Sequence, residues 1–376
     1  MGKEVPQSRR GRFNISEKCL NLYAKTETEK TEMKIVADAN IPFLKGVFEP
    51  YAQVVYKEGP EIGREDCLDA DVLITRTRTR CDASLLEGTA VKMISTATIG
   101  TDHIDFPWCK EHGVEVFNAE GCNSGGVMDY VFSALYGVAS RKKIHLEGAK
   151  LGIVGVGNVG RKVERMGLRL GFQVLRCDPP RAEREGTEGF CTLEELLEEA
   201  QIVTIHVPLD DTTRGMVNDD FFSKILPGAI FINASRGEVI DESALLRARP
   251  KLGALVIDTW CNEPNVDQHL IQECDIATPH IAGYSYQGKQ NGTAMAVRAV
   301  ARRFGIHELE AFYPETEDID LNPVLIDVAG KSQGEIAAIL QYNYPVFIDD
   351  FMFRTDPSGF ERLRSQYQYR REFFVE

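Results

Sequence analysis

Lys150-Leu-Gly-Ile-Val-Gly-Val-Gly-Asn-Val-Gly-Arg161 is an apolar run that breaks into glycines and then into a helical pattern, and no other stretch narrows the possible folds as much. Leu151 to Val154 reads as a buried parallel strand. Gly155, Gly157 and Gly160 form the G-x-G-x-x-G turn that lets backbone N–H groups, including those of Asn158 and Val159, approach a pyrophosphate. A helix from Asn158 to about Leu170 would point its positive end at that anion. A second strand, Phe172 to Cys177, ends at Asp178, 21 residues past Gly157, where a carboxylate meets ribose hydroxyls and would repel a 2′-phosphate. Strand, turn, helix and acid together favour NAD binding, with NADP disfavoured.

The βα rhythm continues beyond this unit. Thr192-Leu-Glu-Glu195 is a capping-box helix start, Ile202 to His206 and Gly228 to Asn233 read as strands, Asp241 to Ala248 as a helix, and Ala254 to Asp258 as a further strand. The expectation is a Rossmann-type doubly wound parallel sheet. Upstream, short apolar strands at Lys34–Ala37, Gln53–Tyr56, Val72–Thr75, Lys92–Ala97 and Val114–Phe117 alternate with helical segments, forming a smaller α/β, flavodoxin-like unit without its own glycine fingerprint. Ser124 to Ser140 has an apolar face at helical spacing, and Tyr286 to Phe304 reads as a second long helix that returns the chain to the smaller unit.

The expected organisation is therefore residues 33–123 with 284–305 as a discontinuous substrate domain, 124–283 as the NAD-binding domain, and 306–376 as an α+β C-terminal domain. In that last domain Pro345 to Ile348 reads as a strand and Gly359 to Glu372 as a closing helix. Alone it is marginal in size, which makes an oligomer interface plausible. Residues 1–32 are polar, mixed in charge and without period, consistent with a disordered extension. Glu17, Glu27, Glu29 and Glu32 are too many acids for a transit peptide.

A formal net charge of −14 argues against a nucleic-acid or anionic-membrane surface, so an anionic substrate must be met by local arginines. No apolar run has membrane-spanning length, and the nine scattered cysteines contain no C-x-x-C pair. A cytoplasmic protein with reduced thiols, and neither a disulfide framework nor a metal site, is expected. His103 between Asp102 and Asp105 lacks a second imidazole or thiolate, so a helix cap is the expectation there.

Ligands of doubly wound sheets lie past the carboxyl ends of the strands. Three such places carry unusual chemistry: Asn233-Ala-Ser-Arg236-Gly237, Asp258-Thr-Trp-Cys-Asn-Glu263-Pro264, and Thr278-Pro279-His280-Ile-Ala-Gly283-Tyr284. In order and type they resemble the D-2-hydroxyacid dehydrogenase family over roughly residues 33–305. The resemblance implies His280 as the base that takes the hydroxyl proton, Glu263 as the carboxylate that orients it, and Arg236 as the fork for the substrate carboxylate. By position it also implies Thr77, Thr98 and Tyr284 on the substrate, and Val207, Asp258 and Gly283 along the cofactor.

Four segments resemble one branch of that family more closely: Ala37-Asp-Ala-Asn-Ile-Pro42, Thr96 to Asp105, Cys177-Asp-Pro-Pro-Arg181, and His280 to Tyr284. The tail from Phe360 to Glu372 strengthens the likeness. It implies oxidation of 4-phospho-D-erythronate to the 2-oxo acid on the route to vitamin B6, and a homodimer formed through the C-terminal domain. Arg76-Thr-Arg78-Thr-Arg80 puts three arginines at strand spacing, on one face, beside Thr77, so Arg76 is a candidate phosphate ligand. Arg370 and Arg371 reaching across a dimer are the other candidates. The competing expectations are a relative acting on 3-phosphoglycerate or an unphosphorylated 2-hydroxy acid, and an NADH-sensing binding protein with negligible turnover.

Overall fold

The computed structural model describes residues 33–316 and 318–376, so the extension expected over residues 1–32 lies outside the described residues. Five short strands, β1 (Lys34–Asp38), β2 (Gln53–Lys57), β3 (Val72–Thr75), β4 (Met93–Thr96) and β5 (Glu115–Asn118), form an all-parallel sheet in the order β2-β1-β3-β4-β5. This is the flavodoxin-like order. Because side chains alternate across a strand, Ile35, Ala37, Ile74 and Met93 pack on one face against Val297, Val300 and Ala301 of the Tyr286–Phe304 helix. Val36, Leu73 and Ile94 pack on the other face with Cys67, Leu85 and Cys109. The long helix thus covers the first sheet although more than 160 residues separate the sheet's last strand from it.

The second sheet has six parallel strands: β6 (Lys150–Val154), β7 (Gln173–Cys177), β8 (Ile202–Ile205), β9 (Ile230–Asn233), β10 (Ala254–Ile257) and β11 (Ile276–Ala277). Their order is β11-β10-β9-β8-β6-β7, so the winding direction reverses between β6 and β8, where the glycine turn begins. Both faces are covered, which explains why the central strands β8, β9 and β10 are buried along their whole length instead of alternating. Ile202, Ile230, Ile232 and Val256 meet the Ser124–Lys142 helix, and Val203, Ile205, Phe231, Leu255 and Ile257 meet Phe221, Leu245 and Leu270. The Ser124–Lys142 helix is buried along nearly its whole length and ends where Lys143 turns left-handed, with φ 57°.

The C-terminal segment departs from expectation twice. Pro345 to Ile348 is no strand: Pro345 caps a helix, Val346–Thr355. Four apolar or β-branched residues suggested extension, but the period shows only over ten residues. Val346, Asp350 and Phe353 turn inward, Asp350 accepts a hydrogen bond from the Ala277 amide at 2.7 Å, and Arg354 pairs with Asp350 one turn later. Nor is Gly359 to Glu372 one helix. It is helical over Phe360–Ser365 and then runs irregularly into β13 (Phe373–Val375), which pairs in parallel with β12 (Val324–Ile326). The Tyr286 amide donates to the Arg370 carbonyl at 2.8 Å, and Arg370 and Tyr367 both bind Asp349. These tertiary bonds replace the helical ones. The tail is sealed into the second sheet's core by Phe353 and Phe360, both fully buried.

Candidate active site

The turn after β6 can be built only with glycine at two places. Gly155 has φ +87°, and a methyl group on it would lie 2.7 Å from the His206 carbonyl oxygen. One on Gly160 would lie 2.1 Å from the Gly155 oxygen. At Gly157 a methyl would meet nothing within 4 Å, so that face of the turn is open. Asp178 stands beside it as its spacing implies: the Val156 amide donates to one carboxylate oxygen at 2.8 Å and the Arg181 amide to the other at 3.0 Å. Each oxygen keeps a lone pair for a hydroxyl. Open turn, helix start and placed acid fit the pyrophosphate and ribose of a dinucleotide. The Asn158 side chain points elsewhere, donating to Glu120 at 3.0 Å, so only its backbone faces the turn. Val159 is partly buried against the main core, and Val207 follows β8 beside Gly155.

His206, which carries no motif of its own, closes the opposite side of the switch point. Burial pushes its pKa down to about 3, and Thr204 Oγ1 lies 3.0 Å from its Nε2, so it is a neutral ring at the end of β8. In the sequence it closes the apolar stretch Ile202 to His206, and in the structure it is the first residue past β8.

Past β9, Asn233 fixes the loop that presents Arg236. Its Nδ2 donates to the Arg236 carbonyl and to Thr259, each at 3.1 Å, and its Oδ1 accepts from the Ser235 amide and hydroxyl. The Arg236 guanidinium donates to the Ser235 carbonyl and pairs with no described carboxylate. It reaches across to the first sheet, where a methyl built on Gly100 would lie 3.4 Å from Arg236 Nη2, 3.4 Å from Asp102 and 3.9 Å from Thr77. Arg236 and Thr77 therefore both border the loop that follows Thr98. Thr98 itself shares a 2.8 Å hydroxyl contact with Thr96.

Past β10, Asp258 turns inward. It accepts from Thr278 Oγ1 at 2.7 Å and from the amides of Ile281 and Ala282 at 2.8 and 3.0 Å, while burial pushes its pKa up. Its carbonyl accepts the His280 amide at 2.7 Å. These bonds hold His280 at φ 55°, a left-handed conformation that a non-glycine residue rarely takes. His280 Nδ1 is then 2.8 Å from Glu263 Oε2, and Glu263 Oε1 accepts the Trp260 amide at 2.9 Å. Burial works against the Glu263 charge, but the hydrogen bond and charge of His280, the Trp260 amide and Arg364 outweigh it and hold the carboxyl below its ordinary value. An ionised Glu263 takes the proton-bearing nitrogen, which leaves Nε2 of a neutral ring free to accept. Gly283 packs on Asn123, where a methyl would lie 2.1 Å from its amide nitrogen.

The three arginines expected on one strand face do not share one. β3 ends at Thr75, and residues 76–80 form a turn from which the side chains diverge. Arg76 forks onto the fully buried Asp38 at 2.9 and 3.3 Å, Arg78 pairs with Glu361, and Arg80 pairs with Asp82. Arg370 is likewise committed within its own chain, to Asp349 and Tyr367, and so is not free to reach a partner's site. Tyr284 instead gathers groups that no local motif marks. Its ring lies edge-on to Tyr367 and Tyr369, with centroids 5.8 and 6.3 Å apart, under the ammonium of Lys289 at 4.2 Å and beside the Arg364 guanidinium at 6.0 Å. Lys289 sits five residues past Tyr284 in the first turn of a helix, and only the later tail gives it its surroundings.

Asp105 caps the Phe106–Glu111 helix by accepting the Trp108 amide at 3.0 Å, and burial pushes the pKa of His103 down. Among the described residues no group of three or more His, Cys, Asp or Glu is arranged to hold a metal, and no helix is long and apolar enough to cross a membrane.

The sequence profile described as "D-isomer specific 2-hydroxyacid dehydrogenase, NAD binding domain" matches residues 136–282. The erythronate-4-phosphate dehydrogenase of Bacteroides fragilis is 42% identical over 347 residues, covering 90% of this chain and 97% of that one. The protein of the same name from Yersinia pestis is 38% identical over 355 residues, covering 91% and 93%. Among solved structures, NAD+-bound 3-phosphoglycerate dehydrogenase of Entamoeba histolytica superposes with a TM-score of 0.62 at 27% identity, over 74% of this chain and 98% of that one. D-lactate dehydrogenase of Aquifex aeolicus, complexed with NAD and lactic acid, shares the fold with a TM-score of 0.56 at 22% identity, over 76% and 100%. The chain belongs to the D-2-hydroxyacid dehydrogenase family, in the group that contains the erythronate-4-phosphate dehydrogenases.

Proposed function

We propose that this chain is an NAD-dependent dehydrogenase that oxidises 4-phospho-D-erythronate at carbon 2 to 2-oxo-3-hydroxy-4-phosphobutanoate, a step toward pyridoxine and pyridoxal phosphate. The observation that carries this proposal is the 2.8 Å bond between His280 and Glu263, held past the ends of the strands that also carry the glycine turn. NAD supplies the acceptor for the hydride leaving carbon 2. His280 Nε2 takes the hydroxyl proton, and Glu263 stabilises the imidazolium so formed. Arg236 holds the substrate carboxylate with its fork, and Thr77, Thr98 and Tyr284 complete the contacts to substrate. The backbone from Gly155 to Gly160 cradles the pyrophosphate, Asp178 takes the ribose hydroxyls, and Val207, Gly283 and the loop tied by Asp258 form the cofactor wall.

In this account residues 33–123 with 284–305 carry substrate, 124–283 carry cofactor, and 306–376 join two copies. The last assignment is supported by apolar side chains left in solvent on that segment. Ile348, Phe351 and Met352 share one helix face, and Tyr342 is 87% exposed. Phe351→Glu is expected to shift the sedimentation coefficient from that of a dimer to that of a monomer; an unchanged dimer would place the interface elsewhere. The eight cysteines of the described residues are all free thiols, which supports a reducing, cytoplasmic setting.

The chemistry is tested by incubating the protein with NAD and 4-phospho-D-erythronate, following NADH and trapping the 2-oxo acid with a hydrazine. Equal amounts of both products are expected. Cofactor binding without either product would instead fit the sensing protein.

A further inference from the structure

Lys289 is a half-buried ammonium whose charge is matched by no described carboxylate. It lies 4.2 Å from the centroid of Tyr284 and 5.1 Å from that of Tyr369, and it makes no ion pair among the described residues. Its charged neighbours are themselves cations. Burial, then Arg76 and Arg364, push its pKa down to about 8, with only the Cys122 thiol acting the other way. The nearby carboxylates are already engaged: Asp38 with Arg76, Glu361 with Arg78 and Arg364, and Glu263 with His280. Arg364 adds a buried Nε with no hydrogen-bond partner.

Such a cluster is costly as it stands. Two tyrosine faces offset part of the ammonium's desolvation, but Lys289 has no counter-charge of its own, and Arg76 and Arg364, though each is paired with a carboxylate, still act against it. A multiply charged anion with several acceptor oxygens removes the repulsion and satisfies the free donors at once. The cluster adjoins the His280 pair, because the charge of Arg364 acts on Glu263 as well as on Lys289, and Tyr284 lies four residues beyond His280. Arg236, by contrast, approaches the Gly100 loop, so the molecule offers separate cationic places for the two ends of a phosphorylated acid.

We propose that Lys289 and Arg364, with Arg76 and the hydroxyls of Tyr284 and Tyr369, form the subsite that receives the substrate's phosphate. This rests on the dehydrogenase assignment above, and it makes the C-terminal tail part of its own chain's substrate pocket. Lys289 and Arg364 bind the phosphate oxygens directly, and Arg76 contributes its charge while anchored to Asp38.

Lys289→Met, Lys289→Arg and Arg364→Gln, each checked for folding by thermal melting, separate the possibilities. The readouts are KM and kcat for 4-phospho-D-erythronate and the calorimetric affinity for inorganic phosphate. Removing one partner of a desolvated charge contact should raise the Lys289→Met KM by about 100-fold and weaken phosphate binding by a similar factor, with kcat falling much less. Arg364→Gln should do the same from a different element, and Lys289→Arg should recover most of the loss. Folded Lys289→Met protein with wild-type KM and wild-type phosphate affinity would overturn the subsite and leave the dehydrogenase assignment standing. Wild-type protein that binds phosphate through Lys289 but oxidises no 4-phospho-D-erythronate would overturn the assignment and identify free phosphate as the ligand.

Discussion

Replacing His280 with asparagine is expected to lower kcat by roughly a thousandfold while leaving NAD affinity nearly unchanged, the size of effect that loss of a general base produces. Asparagine is the informative choice because His280 sits at φ 55°, and asparagine is among the few residues that tolerate that conformation. Its amide can donate to Glu263 as Nδ1 does, so the loop held by Asp258 stays in place and only the acceptor at Nε2 is lost. Steady-state kcat, with NAD affinity from protein fluorescence quenching, checks this; turnover within tenfold of wild type would remove His280 from the chemistry. The pH dependence follows from Glu263. Its folded pKa is depressed, so the stability it lends through His280 is present above the ordinary carboxylate range and is lost as pH falls through the lowered value.

The second large effect is expected at Arg236. Its backbone is fixed by Asn233, and its guanidinium has one carbonyl partner and no described carboxylate, which leaves the fork free toward Thr77 and the Gly100 loop. Arg236→Lys keeps the charge but replaces a planar pair of donors with a compact ammonium on a flexible stem. We expect kcat/KM to fall by about 100-fold or more, corresponding to about 3 kcal/mol of lost charge-assisted hydrogen bonding. An unaltered kcat/KM would show that the fork does not hold the carboxylate.

These two effects concern residues that are legible in the amino-acid sequence itself, and the reason is local. Arg236, Glu263 and His280 each follow an apolar strand within a few residues, so an end-of-strand rule finds them. The glycine turn is a single continuous stretch. Features that depend on distant contacts, or on a period longer than a few residues, are not legible in this way. The alternation of Arg76, Arg78 and Arg80 imitates a strand, but β3 ends at Thr75 and three carboxylates from three places draw the side chains apart. Val346 to Ile348 imitates a strand because its helical period is carried by Asp350 and Phe353 further on. Lys289 looks like any exposed lysine until Arg364 and Tyr369, more than seventy residues later, fold over it. His206 becomes significant only because β8 lies at the reversal of the sheet.

The His280–Glu263 pair and the Lys289–Arg364 cluster are expected to act on one phosphorylated four-carbon acid. This is tested most directly by NADH formation from 4-phospho-D-erythronate, 3-phosphoglycerate, erythronate and D-lactate, each as sole substrate under the same conditions. The highest kcat/KM is expected for 4-phospho-D-erythronate, with the unphosphorylated acids at least about 100-fold lower, as when a desolvated charge contact goes unmade. Equal rates with and without the phosphate, or a preference for 3-phosphoglycerate, would contradict it.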